Sequence, residues 1–362
     1  MKILIMTNSF GGLLSFRKEV VKALRDEGHD VAISAPFGVK RQYFEEIGCQ
    51  LIDTPFRRKG LNPIKEIAML LRYRQLLRQM KPDVVLSYTI KPNVYGGMAC
   101  QWCGIPQIAN ITGLGSAVEN TGWLQKMTVL LYKVGLRKAS TVFFQNKSNM
   151  VFSQRHGMVK GKKVVIPGSG VNLKHHSLQD YPAPNEPLRF IFIGRLMREK
   201  GIDEYLHAAE QVKSKHPEME FHILGACEER YETRIQELQN NGIVIYHGAQ
   251  LDVRPYIGRC HCTIHPSFYP EGMSNVLLES CATGRPIITT DRPGCGEIVE
   301  DGVNGFVVRQ QDANDLIEKI EKFILLPYEK KREMGLAARK KVEREFDRNI
   351  VVKAYQDAIS RI

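Results

Sequence analysis

Leu188-Arg189-Phe190-Ile191-Phe192-Ile193-Gly194-Arg195-Leu196-Met197-Arg198-Glu199-Lys200-Gly201-Ile202 is the stretch on which the reading of the fold turns. Leu188–Ile193 is a nearly unbroken apolar run, the pattern of a strand covered on both faces. A loop bounded by Gly194 and Gly201 follows, and then an amphipathic helical pattern over Ile202–Lys215. The run comes straight after Pro167–Pro187, a loose stretch containing Pro, Asn and His, and it restarts a rhythm already heard once. In the first half, strands are predicted near Lys2–Met6, Asp30–Ala35, Cys49–Asp53, Asp83–Ser87, Gln107–Ile111, Thr141–Gln145 and Lys163–Ile166. Helices between them include Leu13–Glu27, Pro63–Met80 and Trp123–Lys138. In the second half, strands are predicted near Leu188–Ile193, Glu220–Leu224, Ile243–Tyr246, Cys262–His265, Pro286–Thr289 and Gly305–Val308. Their helices include Ile202–Lys215, Tyr231–Asn241, Ser274–Thr283 and Asp312–Leu326. Parallel strands need crossover helices, so this repetition predicts α/β architecture: two Rossmann-like, doubly wound parallel-sheet domains. The boundaries expected are 1–170 for the first domain, 171–187 for a linker and 188–345 for the second domain. The helical, charged end, with a last helix over 346–362, is expected to pack back on the first domain. Ligands of such sheets bind beyond the carboxyl ends of the strands, here an interdomain cleft.

The composition agrees. A chain of 362 residues suggests two domains at roughly 150 residues each. With 43% apolar and 25% charged residues it is an ordinary globular sequence, which excludes wholesale disorder, collagen and coiled coil. No apolar run is long enough to span a bilayer, and Met1–Met6 is too short for a signal-peptide core, so a cytoplasmic location is expected. Eight cysteines over this length are not a disulfide framework. Cys100 with Cys103, and Cys260 with Cys262, have the spacing of half a zinc site but lack the other half, so they read as thiols and no metal is expected.

The charge is unevenly shared. Residues 1–180 hold 26 Lys and Arg against 11 Asp and Glu, whereas residues 181–362 hold 25 against 28. The net +12 therefore belongs to the first half, which points to an anionic partner there: nucleic acid, anionic lipid or a phosphorylated substrate. Arg57–Lys81 and Trp123–Lys138 interleave Lys and Arg with Ile, Leu, Met and Trp, a pattern suited to an anionic membrane surface. The alternative is that these apolar faces simply cover the sheet beneath.

Three loops follow predicted strands. Thr7-Asn8-Ser9-Phe10-Gly11-Gly12-Leu13 offers glycines and a helix start for close approach to a phosphate, though a tight turn explains Gly11 and Gly12 equally well. It is not a GxGxxG fingerprint, so a nicotinamide site is not supported. In Gly194–Gly201, Arg195 supplies a guanidinium fork and Lys200 a mobile charge, two cations able to neutralise a pyrophosphate. In His265–Glu279, Glu271 lies ahead of a helix start formed by Gly272, Met273, Ser274 and Asn275, and Glu279 lies along that helix. Amides for a phosphate and two carboxylates for sugar hydroxyls are what a sugar nucleotide requires.

Gly194-Arg195-Leu196 with Lys200-Gly201, the E-x7-E element Glu271–Glu279, Gly284-Arg285-Pro286-Ile287-Ile288 and Gly302–Val308 resemble the retaining GT-B glycosyltransferases of family 4. Tyr88-Thr89-Ile90-Lys91-Pro92-Asn93 and Thr112-Gly113-Leu114-Gly115-Ser116 resemble the bacterial subgroup, including N-acetylgalactosaminyltransferases, that extends polyprenyl-diphosphate-linked sugars. The resemblance implies that Arg195 and Lys200 bind the donor diphosphate and stabilise the departing nucleotide. It implies that Glu279 holds the ribose, that Glu271 contacts the transferred sugar and that Gly272–Asn275 supply backbone donors. Gly11 and Gly12 would close over the phosphates, and the Gly248–Leu251 turn after His247 would meet the nucleobase. Many relatives carry a histidine near the position of Asn110–Ser116; this chain has none there.

The implied activity is retaining transfer of a hexose or N-acetylhexosamine, GalNAc or GlcNAc favoured, from a UDP-sugar to a polyprenyl-diphosphate-linked saccharide in bacterial surface glycan assembly. No cofactor or metal is expected, in keeping with the lack of any Asp-x-Asp, and the enzyme is expected to lie peripherally on the inner membrane face. Alternatives are a UDP-sugar 2-epimerase or hydrolase, a soluble-acceptor glucosyltransferase, and a basic nucleic-acid-binding protein, for which no motif is present. Among the histidines, His175 and His176 read as solvent-exposed, and His265 as shaping the E-x7-E loop.

Overall fold

The computed structural model describes residues 1–38, 41–55, 63–115, 118–119 and 121–362. Strands β1 (Lys2–Met6), β2 (Asp30–Ala35), β3 (Gln50–Asp53), β4 (Val84–Tyr88), β5 (Gln107–Ile111), β6 (Thr141–Phe144) and β7 (Lys162–Val165) form one sheet in the order β3-β2-β1-β4-β5-β6-β7. Strands β8 (Arg189–Ile193), β9 (Glu220–Leu224), β10 (Ile245–Tyr246), β11 (Cys262–His265), β12 (Ile287–Thr290) and β13 (Gly305–Val308) form the other in the order β10-β9-β8-β11-β12-β13. All the pairings are parallel. These are the two doubly wound sheets expected, with strand ends within two residues of those read from the sequence. The chain divides into two units: Met1–Gly170, Glu271–Met273 and Arg348–Ile362 form the first, and Val171–Pro270 with Ser274–Asp347 the second.

Helices on both sheet faces explain why the strands carry apolar runs rather than alternation. In the first unit Ile3, Ile5, Val31 and Leu86 pack under Val20, Val21 and Leu24 of the helix Phe10–Asp26, together with Tyr355 and Ile359. On the other face Leu4, Met6 and Val85 meet Tyr73 and Leu77 of the helix Pro63–Met80. In the second unit Phe190, Phe192, Phe221 and Ile223 bury against Tyr205, Leu206 and Ala209 of the helix Ile202–Lys215.

Several elements depart from the sequence reading. The helix expected to reach Lys138 ends at Gly135, where an added Cβ would lie 2.5 Å from Val94 Cα. Val94 belongs to a π-helical turn, Pro92–Gly96, which the periodicity did not foretell. The charged end, read as helical, is not such a departure: it forms two helices, Tyr328–Glu345 and Arg348–Ile359, and the second is grouped with the first unit. There Arg348 Nη1 pairs with Glu19 at 2.9 Å, and Asn110 Nδ2 donates to Tyr355 Oη at 2.8 Å. All eight cysteines are free, and burial pushes the Cys260 thiol up to about 12, the mark of inert core sulfur. Among the described residues no cluster of His, Cys, Asp or Glu is arranged to hold a metal ion.

Arg285, in the Gly-Arg-Pro motif, is wholly buried. Its Nη1 donates to the carbonyls of Gln179, Thr283 and Gly284, and its Nη2 to those of Asp180 (2.7 Å) and Gly258 (2.6 Å). Burial lowers its pKa to about 10, so it stays charged at neutral pH while tying residues 179–180 to the second sheet. Arg285→Leu strips those carbonyls of their donor and is expected to cost about 3 kcal/mol. An unchanged denaturation midpoint for the second unit would refute this.

Candidate active site

In each sheet the strand order turns back beside the first strand, between β1 and β4 and between β8 and β11. The loops after such neighbouring strands form the ligand crevice of open α/β sheets. In the second unit these are the loop after β8, which carries Arg195 and Lys200, and the chain after β11, which leads to the helix bearing Glu279.

The β8 loop is set by its hydrogen bonds. Gly194 N donates to Leu224 O and Leu196 N to Ala226 O, each at 2.9 Å, so the chain leaves the strand parallel to the β9 exit. A 3-10 turn, Arg198–Lys200, then ends at Gly201 with φ +77°. An added Cβ on Gly201 would lie 2.2 Å from Pro266 O, so the β8 and β11 loops touch where only glycine fits. Glu199 O accepts from Phe268 N at 3.0 Å, and Lys200 Nζ sits 5.1 Å from the centre of the Tyr269 ring. Lys200 is half-buried, whereas Arg195 is exposed and its guanidinium has no hydrogen bond or ion pair among the described residues.

The helix after β11 is Asn275–Ala282, one residue inside the predicted span at each end, and Glu279 lies little more than one turn in. Ser274, the residue before it, makes no side-chain capping bond, and its own N–H is taken by Gly294 O at 2.8 Å. The Ser274 side chain therefore supplies no cap to the first turn. Glu271, Gly272 and Met273 belong to the first unit, where Asn146 Nδ2 donates to Gly272 O at 2.7 Å and Glu271 O at 3.3 Å. A Cβ on Gly272 would lie 2.4 Å from Thr112 O, so this turn too requires glycine.

Gly11 and Gly12 lie inside the helix Phe10–Asp26 rather than in a loop before Leu13. Ser9 caps that helix by accepting from Gly12 N at 3.1 Å, which already uses one of the amides expected to meet a phosphate. An added Cβ at either glycine would make only ordinary contacts of 3.6–3.7 Å with Ser9, so a tight turn does not account for the pair. Leu251 is 95% exposed beside a cavity of about 680 Å3 lined also by Ala249, Gln250, Asp252, Tyr256 and Arg259. His247, which opens this turn, stacks on His222 with Nε2 2.9 Å from His222 Nδ1, and burial lowers both pKa values. His265 is buried and its backbone O accepts from Thr289 Oγ1 at 2.7 Å, placing it under the β11 loop.

Residues 174–341 match the family model described as glycosyl transferases group 1, and residues 2–146 the one described as glycosyl transferase 4-like. The chain belongs to these glycosyltransferases. A Campylobacter jejuni protein named N,N'-diacetylbacillosaminyl-diphospho-undecaprenol alpha-1,3-N-acetylgalactosaminyltransferase is 28% identical, across 100% of this chain and 99% of its own. The Staphylococcus aureus capsular polysaccharide biosynthesis glycosyltransferase CapM is 26% identical, across 91% and 90%. The crystal structure of Anabaena Alr3699/HepE in complex with UDP shares the GT-B fold, with a TM-score of 0.81 at 18% identity over 100% of both chains.

Two residues of this glycosyltransferase escaped the sequence reading. His176, read as exposed, is buried, with Nε2 3.9 Å from Glu279 Oε1. Arg292 lies in the loop whose Gly294 carbonyl takes the Ser274 amide, and burial lowers its pKa. Neither sits in a motif or a periodic stretch, so no local signal announced them. Gly201→Ala must push the β8 loop off Pro266 and strain a left-handed φ. It is expected to cut turnover by about tenfold, since displacement of a catalytic group by about 1 Å has large effects, while the folded far-UV spectrum is kept. Wild-type turnover in this variant would show that the loop contact is dispensable.

Proposed function

We propose that this chain is a retaining glycosyltransferase that moves a hexose or N-acetylhexosamine, GalNAc or GlcNAc favoured, from a UDP-sugar to a polyprenyl-diphosphate-linked saccharide in bacterial surface glycan assembly. The observation that carries the reading is the end-to-end match to a C. jejuni protein whose name states that lipid-linked acceptor and that sugar. The juxtaposed β8 and β11 loops support it, because they hold Lys200 over the Tyr269 ring while Arg195, on the same glycine-bounded loop, stays exposed.

In this reading Arg195 and Lys200 clamp the donor diphosphate, Glu279 takes the ribose hydroxyls and Glu271 meets the transferred sugar. The backbone of Gly272, Met273, Ser274 and Asn275 supplies further donors, the Leu251 turn meets the base, and Gly11 and Gly12 approach the phosphates. Glycosyl transfer passes through an oxocarbenium-like state with charge gathering on the leaving nucleotide, so the cation pair acts where the barrier lies. No cofactor enters this scheme, and the clamp supplies the positive charge. Arg195→Ala and Lys200→Ala are each expected to lower turnover by more than about tenfold. The assay is a screen of UDP-sugars with a polyprenyl-diphosphate-sugar acceptor. Donor consumption without acceptor would instead mark an epimerase or hydrolase, and preference for a soluble glucan would mark the other acceptor class.

The first unit also supports contact with an anionic membrane surface. On the helix Trp123–Gly135, Trp123 (71%), Leu130 (59%) and Val134 are exposed beside exposed Lys126 and Lys133. On Pro63–Met80, Ile64 (78%), Ile67 and Leu71 are exposed beside Lys65, Arg72 and Arg78. An apolar stripe rimmed by cations suits the headgroup layer. Arg57, Arg58 and Lys59, read with this segment, lie outside the described residues. No helix among the described residues is long and apolar enough to cross a membrane. Binding to vesicles rich in anionic lipid should weaken with salt and fall further in a Trp123→Ser, Leu130→Ser variant. Absence of binding at low salt would remove the membrane contact and leave the enzymatic reading in place.

A further inference from the structure

Within the second unit, residues 172–180 are stapled to the C-terminal end of the helix that carries Glu279. Arg339 Nη1 donates to the carbonyls of His176 (2.9 Å) and Ala282 (2.7 Å), and Gln179 N donates to Thr283 O at 3.3 Å. The turn leading to His176 is set by Asn172, whose side-chain oxygen accepts from Lys174 N and His175 N and whose carbonyl accepts from His176 N at 2.9 Å. The His175 ring meets that of His176 edge-on, with centroids 5.0 Å apart. These contacts leave the His176 side chain 10% exposed, with Nε2 3.9 Å from Glu279 Oε1. The Glu279 side chain keeps 22% exposure, enough for one edge of its carboxylate to meet a ligand.

A glutamate that accepts from two vicinal hydroxyls must present both oxygens in one plane, and its three side-chain torsions otherwise let it turn away. At 3.9 Å the imidazole is beyond a direct hydrogen bond, but in a largely buried setting its N–H dipole or charge still biases the carboxylate. We propose that His176 is a positioning residue for donor binding, holding the Glu279 carboxylate in the orientation that receives the ribose hydroxyls. This rests on the assignment of Glu279 to the ribose in the proposed function. Arg339 acts one step further out, as the bracket that keeps the histidine segment against the glutamate helix.

The test measures affinity for UDP and for 2′,3′-dideoxyuridine diphosphate in the full-length protein, with donor KM and kcat measured alongside. His176→Phe keeps the ring and removes the nitrogens. It is expected to weaken UDP by about tenfold, in line with coupling between neighbouring polar groups, and to leave the dideoxy analogue within about twofold. Donor KM should rise while kcat changes little, and His176→Gln, which restores an N–H donor, should recover part of the loss. In a Glu279→Ala background, His176→Phe should add less than about twofold. His176→Asn, too short to reach the carboxylate, carries the same expectation should the Phe variant fail to fold. Equal weakening of both nucleotides by the His176 variants, or no weakening, overturns the proposal. Glu279→Ala separates the two levels. If it shows no hydroxyl-dependent loss, the ribose assignment itself falls. If it shows that loss and the His176 variants do not, the positioning role alone falls.

Discussion

Two loops that are some seventy residues apart in the chain meet because β8 and β11 are neighbours in the second sheet. The tightest point of that meeting is Gly201 against the Pro266 carbonyl, where no side chain fits and the backbone is left-handed. Everything proposed for the donor depends on this contact. It orients the turn bearing Lys200, seats Lys200 over Tyr269 and lets Glu199 take the Phe268 amide. Lys200 and the turn that bears it are thereby held against the β11 loop, an arrangement that neither loop could create alone.

Parallel pairing makes such a meeting possible. A parallel strand cannot return by a hairpin, so helices cover both faces and the loops at the carboxyl ends stay free of structural duty. The burden of stability moves to buried polar groups that close the remaining gaps. Arg285 gathers five carbonyls around residues 179–180 and 258, and Asn110 reaches Tyr355 in the first unit. Ser87, Asn93 and Gln107 complete a satisfied set beneath the π-helical turn, with Ser87 Oγ donating to Asn93 Oδ1 at 2.8 Å. Such networks tolerate little change because an unpaired buried polar group is costly.

How far the sequence could be read depended on how local the signal was. Strands and long helices were legible, down to the bounds of Ile202–Lys215 and Glu220–Leu224, because apolar runs and helical periodicity are carried by neighbours in the chain. The glycine-bounded Arg195–Lys200 loop and the helix start before Glu279 were legible for the same reason. The short helices Gln42–Glu46 and Arg254–Arg259 and the π-turn were not, since a turn or two of helix carries little periodic signal. Gly11 and Gly12 misled, because glycine is a poor helix former and their helical state comes from the Ser9 cap.

By itself, then, the sequence determined the two parallel-sheet units, the glycine-bounded loop after β8 and the sharing of positive charge between halves, all properties of residue type and near-neighbour spacing. Only the tertiary structure decided that Gly201 is a point of closest approach, that Arg285 is a structural cation and that His176 stands beside Glu279. Those facts arise from residues distant in the chain and close in space, and strand order, which no local pattern encodes, brings them together.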